Sequence, residues 1–137
     1  MRAGICLPNY TFDQWTEGDR RVIAAARPAA VTLMAKEHDR RVYGYLEAIA
    51  AGWGYKPLYV VRFGDGPQTP ESAEIHLNAA LAQVPPAVLA EGRAVFRLGN
   101  NTDKAEEWGD LGAYVYAFKG LHERRPNVPL VTTNLHD

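Results

Sequence analysis

Short apolar runs alternate along this chain with longer stretches in which apolar residues recur at helical spacing. The runs begin near Ala3, Ala30, Leu58, Ala94 and Leu130, and each reads as a buried strand. Helix signals lie between them. Thr16-Glu17-Gly18-Asp19 places a Thr three positions before an acid, as in a capping box, and Val22, Ile23 and Ala26 follow as an inner face that Pro28 ends. Asp39 to Trp53 carries Val42, Leu46 and Ile49 at helical spacing, with Gly52 and Gly54 as its stop. Thr69-Pro70-Glu71 supplies an N-cap, a proline at the first helical position and an early acid. The helix so started runs to about Gln83, Pro85-Pro86 breaks it, and Ala87 to Gly92 reads as a short turn. The last helix spans about Ala105 to Arg124, with Trp108, Leu111, Val115, Phe118 and Leu121 on one side.

This order predicts an α/β fold of parallel βα repeats, a single domain over residues 1–137 forming a partial, about five-stranded, TIM-barrel-like sheet. The alternative is a flavodoxin-like doubly wound sheet. Strand order separates the two: sequential for the partial barrel, 2-1-3-4-5 for the doubly wound sheet. Five parallel strands in barrel order leave two open edges and an uncovered inner face, so self-association as a homodimer is expected.

Composition narrows the function classes. The chain is 47% apolar and 23% charged, as in ordinary soluble globular proteins. A net charge of -1 and a pI near 6.4 argue against a nucleic-acid partner, and the pairs Arg20-Arg21, Arg40-Arg41 and Arg124-Arg125 read as solvated helix positions. No run approaches a membrane span, and the stretch after Met1-Arg2 is too brief for a signal-peptide core, so a cytoplasmic setting is favoured. Cys6, between Ile5 and Leu7, reads as a buried, unreactive strand thiol. The histidines have no metal-ligand spacing with it or with one another, and neither a metal nor another cofactor is expected.

Candidate chemistry collects where parallel strands end, since ligand-facing groups sit at the C-terminal ends of such strands. Those ends carry Asn9, Lys36-Glu37-His38, Arg62 and Asp65, Arg97 with Asn100, Asn101 and Asp103, and Asn134. Glu37 beside His38 suits general acid–base chemistry, but Glu37 equally suits the first turn of the second helix, where an acid complements the dipole, and that reading is preferred. Arg62 and Arg97 each follow an apolar strand and precede a Gly-containing tip, where a guanidinium holds a carboxylate, a phosphate or a sugar hydroxyl, or else pairs with Asp65 and Glu37.

The fourth strand and its tip, Val95 to Leu98 then Gly99-Asn100-Asn101-Thr102, precede Glu107-Trp108, a Tyr- and Ala-rich run from Ala113 to Ala117, and Arg125-Pro126-Asn127. This series resembles the front portion of (β/α)8-barrel glycoside hydrolases of the large retaining clan often called clan A. In that family the fourth strand ends in Gly-Asn-Glu-Pro and an acidic-Trp pair opens the next helix. The opening, Asp13-Gln14-Trp15-Thr16 followed by Ala26 to Leu33, also looks like the first βα unit of such barrels. The resemblance implies that Asn100 bonds a sugar hydroxyl. It places the family's acid/base glutamate at Asn101, which has no proton to give, and the nucleophile strand lies beyond the matched run.

Retaining hydrolysis uses two carboxyl groups about 5 Å apart. The expectation is therefore a catalytically silent, glycoside-hydrolase-like domain that binds a carbohydrate or has a structural role. Its ligand contacts would be Asn100, Asn101, Arg97, Arg62, Asn9 and Asn134. The alternatives are an active glycoside hydrolase with relocated carboxylates, drawn from Glu37, Asp65 and Asp103, and a small flavodoxin-like binding protein.

Overall fold

The computed structural model describes residues 4–8, 10–64, 68–99 and 111–132. Five strands, β1 (Gly4–Cys6), β2 (Ala30–Met34), β3 (Leu58–Phe63), β4 (Ala94–Leu98) and β5 (Leu130–Thr132), alternate with α1 (Glu17–Ala26), α2 (Arg40–Ala50), α3 (Pro70–Gln83), α4 (Pro86–Ala90) and α5 (Leu111–Arg124). Each strand pairs in parallel with the next, so the sheet order is β1-β2-β3-β4-β5. A 2-1-3-4-5 sheet would set β1 between β2 and β3, whereas here β2 pairs with both β1 and β3. The α/β fold with an all-parallel sheet is thus established, in sequential order. Among the described residues, no helix is long and apolar enough to cross a membrane.

Local chemistry explains the helix boundaries. Thr16 accepts from the Asp19 amide while Asp19 accepts from the Thr16 amide, closing the capping box that starts α1. Thr69 accepts from the Ser72 amide to start α3, with Pro70 as its first residue. α1 ends on Arg27 in the left-handed conformation, directly before Pro28. Asp39 caps α2 by accepting from the Arg41 amide, and the helix ends at Ala50, earlier than Trp53. Ala87 to Gly92, expected as a turn, is mostly the short helix α4, because Pro86 opens a helical turn as readily as it ends the previous one.

The two faces of the sheet differ. Val31, Leu33, Tyr59, Val61, Phe63, Phe96 and Leu98 are buried on one face against Ile23, Val42, Leu46, Leu77 and Leu121 of the helices. Strand residues alternate in direction, so the intervening positions form the other face. Register aligns Cys6, Thr32, Val60 and Val95 in one row there, and Met34, Arg62, Arg97 and Val131 in the next, nearer the strands' C-terminal ends. None of the members of these rows joins the core cluster that packs against the helices, although Met34 is buried.

That difference corrects three expectations. Cys6 is exposed, not buried, because it lies on the uncovered face of the edge strand β1. Val22 is 69% exposed, and Ile23 is the α1 residue that enters the core. On α5 the inward residues are Tyr114, Ala117 and Leu121, while Leu111 and Val115 are exposed at 44% and 40%. Trp108 lies outside the described residues.

At the N-terminal end of the sheet, Arg93 grips Glu47 through two nitrogens, at 2.6 and 3.0 Å, and also donates to the Pro57 carbonyl. The Tyr59 hydroxyl donates to the same carboxylate at 2.5 Å. Desolvation pushes the Glu47 carboxyl up, but the hydrogen bonds from Arg93 and Tyr59 outweigh it and hold the group below its ordinary value. This network joins α2 to β3 and β4 opposite the ligand-facing end and reads as structural.

Candidate functional site

The opposite rim is where the strands end. β3 and β4 finish on Gly64 and Gly99, both left-handed, at φ +72° and +77°. The Gly99 amide donates to the Phe63 carbonyl at 2.7 Å, so the two tips are held side by side. A Cβ on Gly64 would meet Leu98 Cδ1 at 2.9 Å, so both the backbone angle and the packing call for glycine there. β2 continues its pairing past Met34, with the Ala35 amide donating to the Arg62 carbonyl at 2.9 Å.

Beside these tips lies a cavity of about 260 Å³, lined by Met34, Ala35, Lys36, Arg62, Phe63, Gly64, His76 and Ala79. Three of these side chains are basic, and none of the eight is acidic. Arg97 is the register neighbour of Arg62, and its Nε is buried with no hydrogen-bond partner among the described residues. The structure therefore brings Lys36, Arg62 and Arg97 to one rim, as expected, and adds His76 from α3. The sequence offered no signal for His76 beyond its presence, because a helix residue joins a strand-end site only through tertiary packing.

Glu37 and His38 do not form an acid–base pair. His38 is buried; the Met34 amide donates to its Nδ1 at 2.9 Å, and its Nε2 lies 2.9 Å from the Pro8 carbonyl. With Nδ1 accepting, Nε2 carries the proton and donates to Pro8, so both ring nitrogens are committed. Burial lowers the imidazole's affinity for a proton more than the Pro8 carbonyl and the nearby carboxylates raise it. The edge of Trp15 packs on the ring. Glu37 lies in the turn after β2, where its amide donates to the Met34 carbonyl at 3.0 Å. The first turn of α2 holds no acid, so the helix-terminus role expected of Glu37 falls to Asp39 as N-cap.

Asn9, Asp65, Asn100, Asn101, Asp103 and Asn134 lie outside the described residues. Among the described residues, no group of three His, Cys, Asp or Glu side chains is placed to hold a metal ion. A larger groove of about 610 Å³ runs between α3 and α5, past the exposed Ile75 and Tyr116, and an Arg124–Glu74 ion pair at 2.5 Å joins its walls. It lies on the helical side of the domain and mixes both signs of charge.

No protein-family profile matches the chain, and neither the curated proteins nor the solved structures provide a match.

Proposed function

We propose that this chain is a non-catalytic, glycoside-hydrolase-like βα domain that binds carbohydrate at the C-terminal rim of its sheet. The observation that carries this reading is the pairing of Arg62 and Arg97 in register beside a cavity of about 260 Å³. Forked guanidinium donors on neighbouring strands suit the oxygen-rich edge of a sugar. The absence of catalysis rests on His38, whose two ring nitrogens are already bonded, and on Asn101 at the position of the family's acid.

Isothermal titration of the protein with glucose, galactose, mannose, xylose and glucuronate tests the binding. Saturable binding of at least one sugar, weakened by Arg97→Gln, is the expected result. Absence of saturable binding across that set would overturn the reading.

A second copy of the chain is the cover this reading assigns to the uncovered face. Leu58 and Val131 on that face are exposed, and the row Cys6, Thr32, Val60 and Val95 crosses the same face. Association would remove apolar surface that the helices leave in water. Sedimentation at high micromolar concentration decides between monomer and dimer.

A further inference from the structure

We propose that His38 is an acid-sensitive latch: the neutral ring pins β1 and residues 10–15 to the sheet, and the protonated ring lets them come away while β2 to β4 stay folded. The ring is a buried tie between two parts of the chain. Its Nδ1 accepts from the Met34 amide at the end of β2, and its Nε2 donates to the Pro8 carbonyl just past β1, each at 2.9 Å. Trp15 stands edge-on to it, with ring centroids 6.1 Å apart. The other described holds on this segment are light. β1 is three residues long and lies at the edge of the sheet, paired with β2. Leu7 and Trp15 bury their side chains, but the Arg41–Asp13 ion pair is exposed to water, where such pairs contribute little. The Tyr10–Asp19 bond ties residues 10–15 to α1 and not to the sheet.

Protonation is not absorbed in place. A proton on Nδ1 sets two N–H groups against each other, and swinging the ring away to relieve this gives up the Pro8 bond as well. Among the described residues, the charged groups acting on the ring are the carboxylates of Glu37 and Asp39, both beside it in sequence. β1 and residues 10–15 present the Pro8 and Tyr10 carbonyls and the Trp15 ring, none of them charged. The two carboxylates favour the imidazolium, but burial outweighs them, so the ring takes a proton more readily once it is in water. The open form therefore binds more protons, and acid favours it. The latch lies at the same end of the sheet as Arg62 and Arg97, since Met34 aligns with Arg62 and Arg62 with Arg97. Its opening frees the edge of β2 beside the rim, whether or not the rim takes carbohydrate.

The test is amide hydrogen exchange resolved by residue, on the native chain and on His38→Gln, from about pH 7.5 to 5.5, with rates corrected for the intrinsic pH dependence of exchange. The carboxyls of Asp13, Asp19 and Asp39 are held below their ordinary values by hydrogen bonds, so they stay ionised over this range. The Leu7 and Trp15 amides, bonded to the Thr32 and Phe12 carbonyls, report on the segment. The Tyr59 and Phe96 amides, bonded to the Arg93 and Pro129 carbonyls, report on the sheet. Leu7 and Trp15 should open at least about tenfold more often than Tyr59 and Phe96, the mark of a local opening. Their opening should become up to about tenfold more frequent per pH unit as pH falls below 6.5, and should not vary with pH in His38→Gln. One common opening frequency for all four amides would mean global unfolding alone and would overturn the latch. A local opening that ignores pH in the native chain, or keeps its slope in His38→Gln, would overturn it too. If His38→Gln does not fold, the split between the two pairs of amides and its pH slope in the native chain decide.

Discussion

The Tyr114 hydroxyl donates to the Leu98 carbonyl at 2.9 Å, in the core, and so ties α5 to the last residue of β4. The bond fixes the height at which β4 gives way to Gly99, and with it the position of Arg97 one residue earlier. Tyr114→Phe keeps the ring and removes the donor. A loss of about 1–2 kcal/mol in urea unfolding is expected, the usual range for a buried hydrogen bond whose acceptor stays behind. An unchanged unfolding midpoint would mean that the hydroxyl contributes nothing to this junction.

His38 makes stability depend on pH. Its folded-state pKa lies below the ordinary value of 6.5, because burial disfavours the imidazolium and Nδ1 must stay unprotonated to accept from Met34. Between the depressed pKa and 6.5 the unfolded chain binds more protons than the folded one, so stability rises with pH through that window. The contribution is complete above about 6.5 and is lost as pH falls toward the folded-state pKa. Urea midpoints at stepped pH should show this slope in the native protein and lose it in His38→Gln.

Two glycines should respond to alanine with opposite signs. Gly64→Ala forces a left-handed conformation on an L-residue and drives Cβ to 2.9 Å from Leu98 Cδ1. A loss of about 1–3 kcal/mol is expected. Gly44, inside α2, has nothing within 4 Å of a built Cβ and no left-handed angle, so Gly44→Ala should gain about 0.5–1 kcal/mol. Thermal melts of the two variants side by side check both signs.

The strands were legible because β-branched runs between capped helices leave little choice; the starts at Ala30, Leu58, Ala94 and Leu130 coincide with the observed ones. Faces were harder to read. α5 carries apolar residues at Leu111, Ala113, Tyr114, Val115, Tyr116, Ala117 and Phe118, so no single stripe stands out, and only packing selects Tyr114, Ala117 and Leu121. In β1, a strand of three residues, alternation cannot say whether Ile5 or its two neighbours, Gly4 and Cys6, face the core. The rim arginines followed from their place after apolar strands. The role of His38 did not, because it depends on a turn that carries the ring back to Met34.

Cys6 reports on the uncovered face. It is exposed in the single chain and shares a row with Thr32, Val60 and Val95. At low micromolar concentration a disulfide thiol reagent should label it quickly. If a second copy covers that face, labelling should slow as concentration rises and the dimer fills. A rate independent of concentration, in a sample that sediments as a dimer, would move the interface elsewhere.

The last prediction concerns chemistry. Retaining glycoside hydrolysis needs two carboxyl groups about 5 Å apart, one of them able to give a proton to the leaving group. Asn101 occupies the position where the family resemblance puts that acid, and general acid help is typically worth about 10²–10⁴ in rate. His38 cannot take over the role, because its Nε2 proton is directed at the Pro8 carbonyl and its Nδ1 at the Met34 amide. Asn101→Glu would restore one carboxyl group without a partner, so both the native protein and this variant should leave nitrophenyl glycosides intact. Turnover by the native protein that disappears in Glu37→Gln, Asp65→Asn or Asp103→Asn would reverse the conclusion. It would make the rim a working active site whose carboxylates had moved within the strand ends.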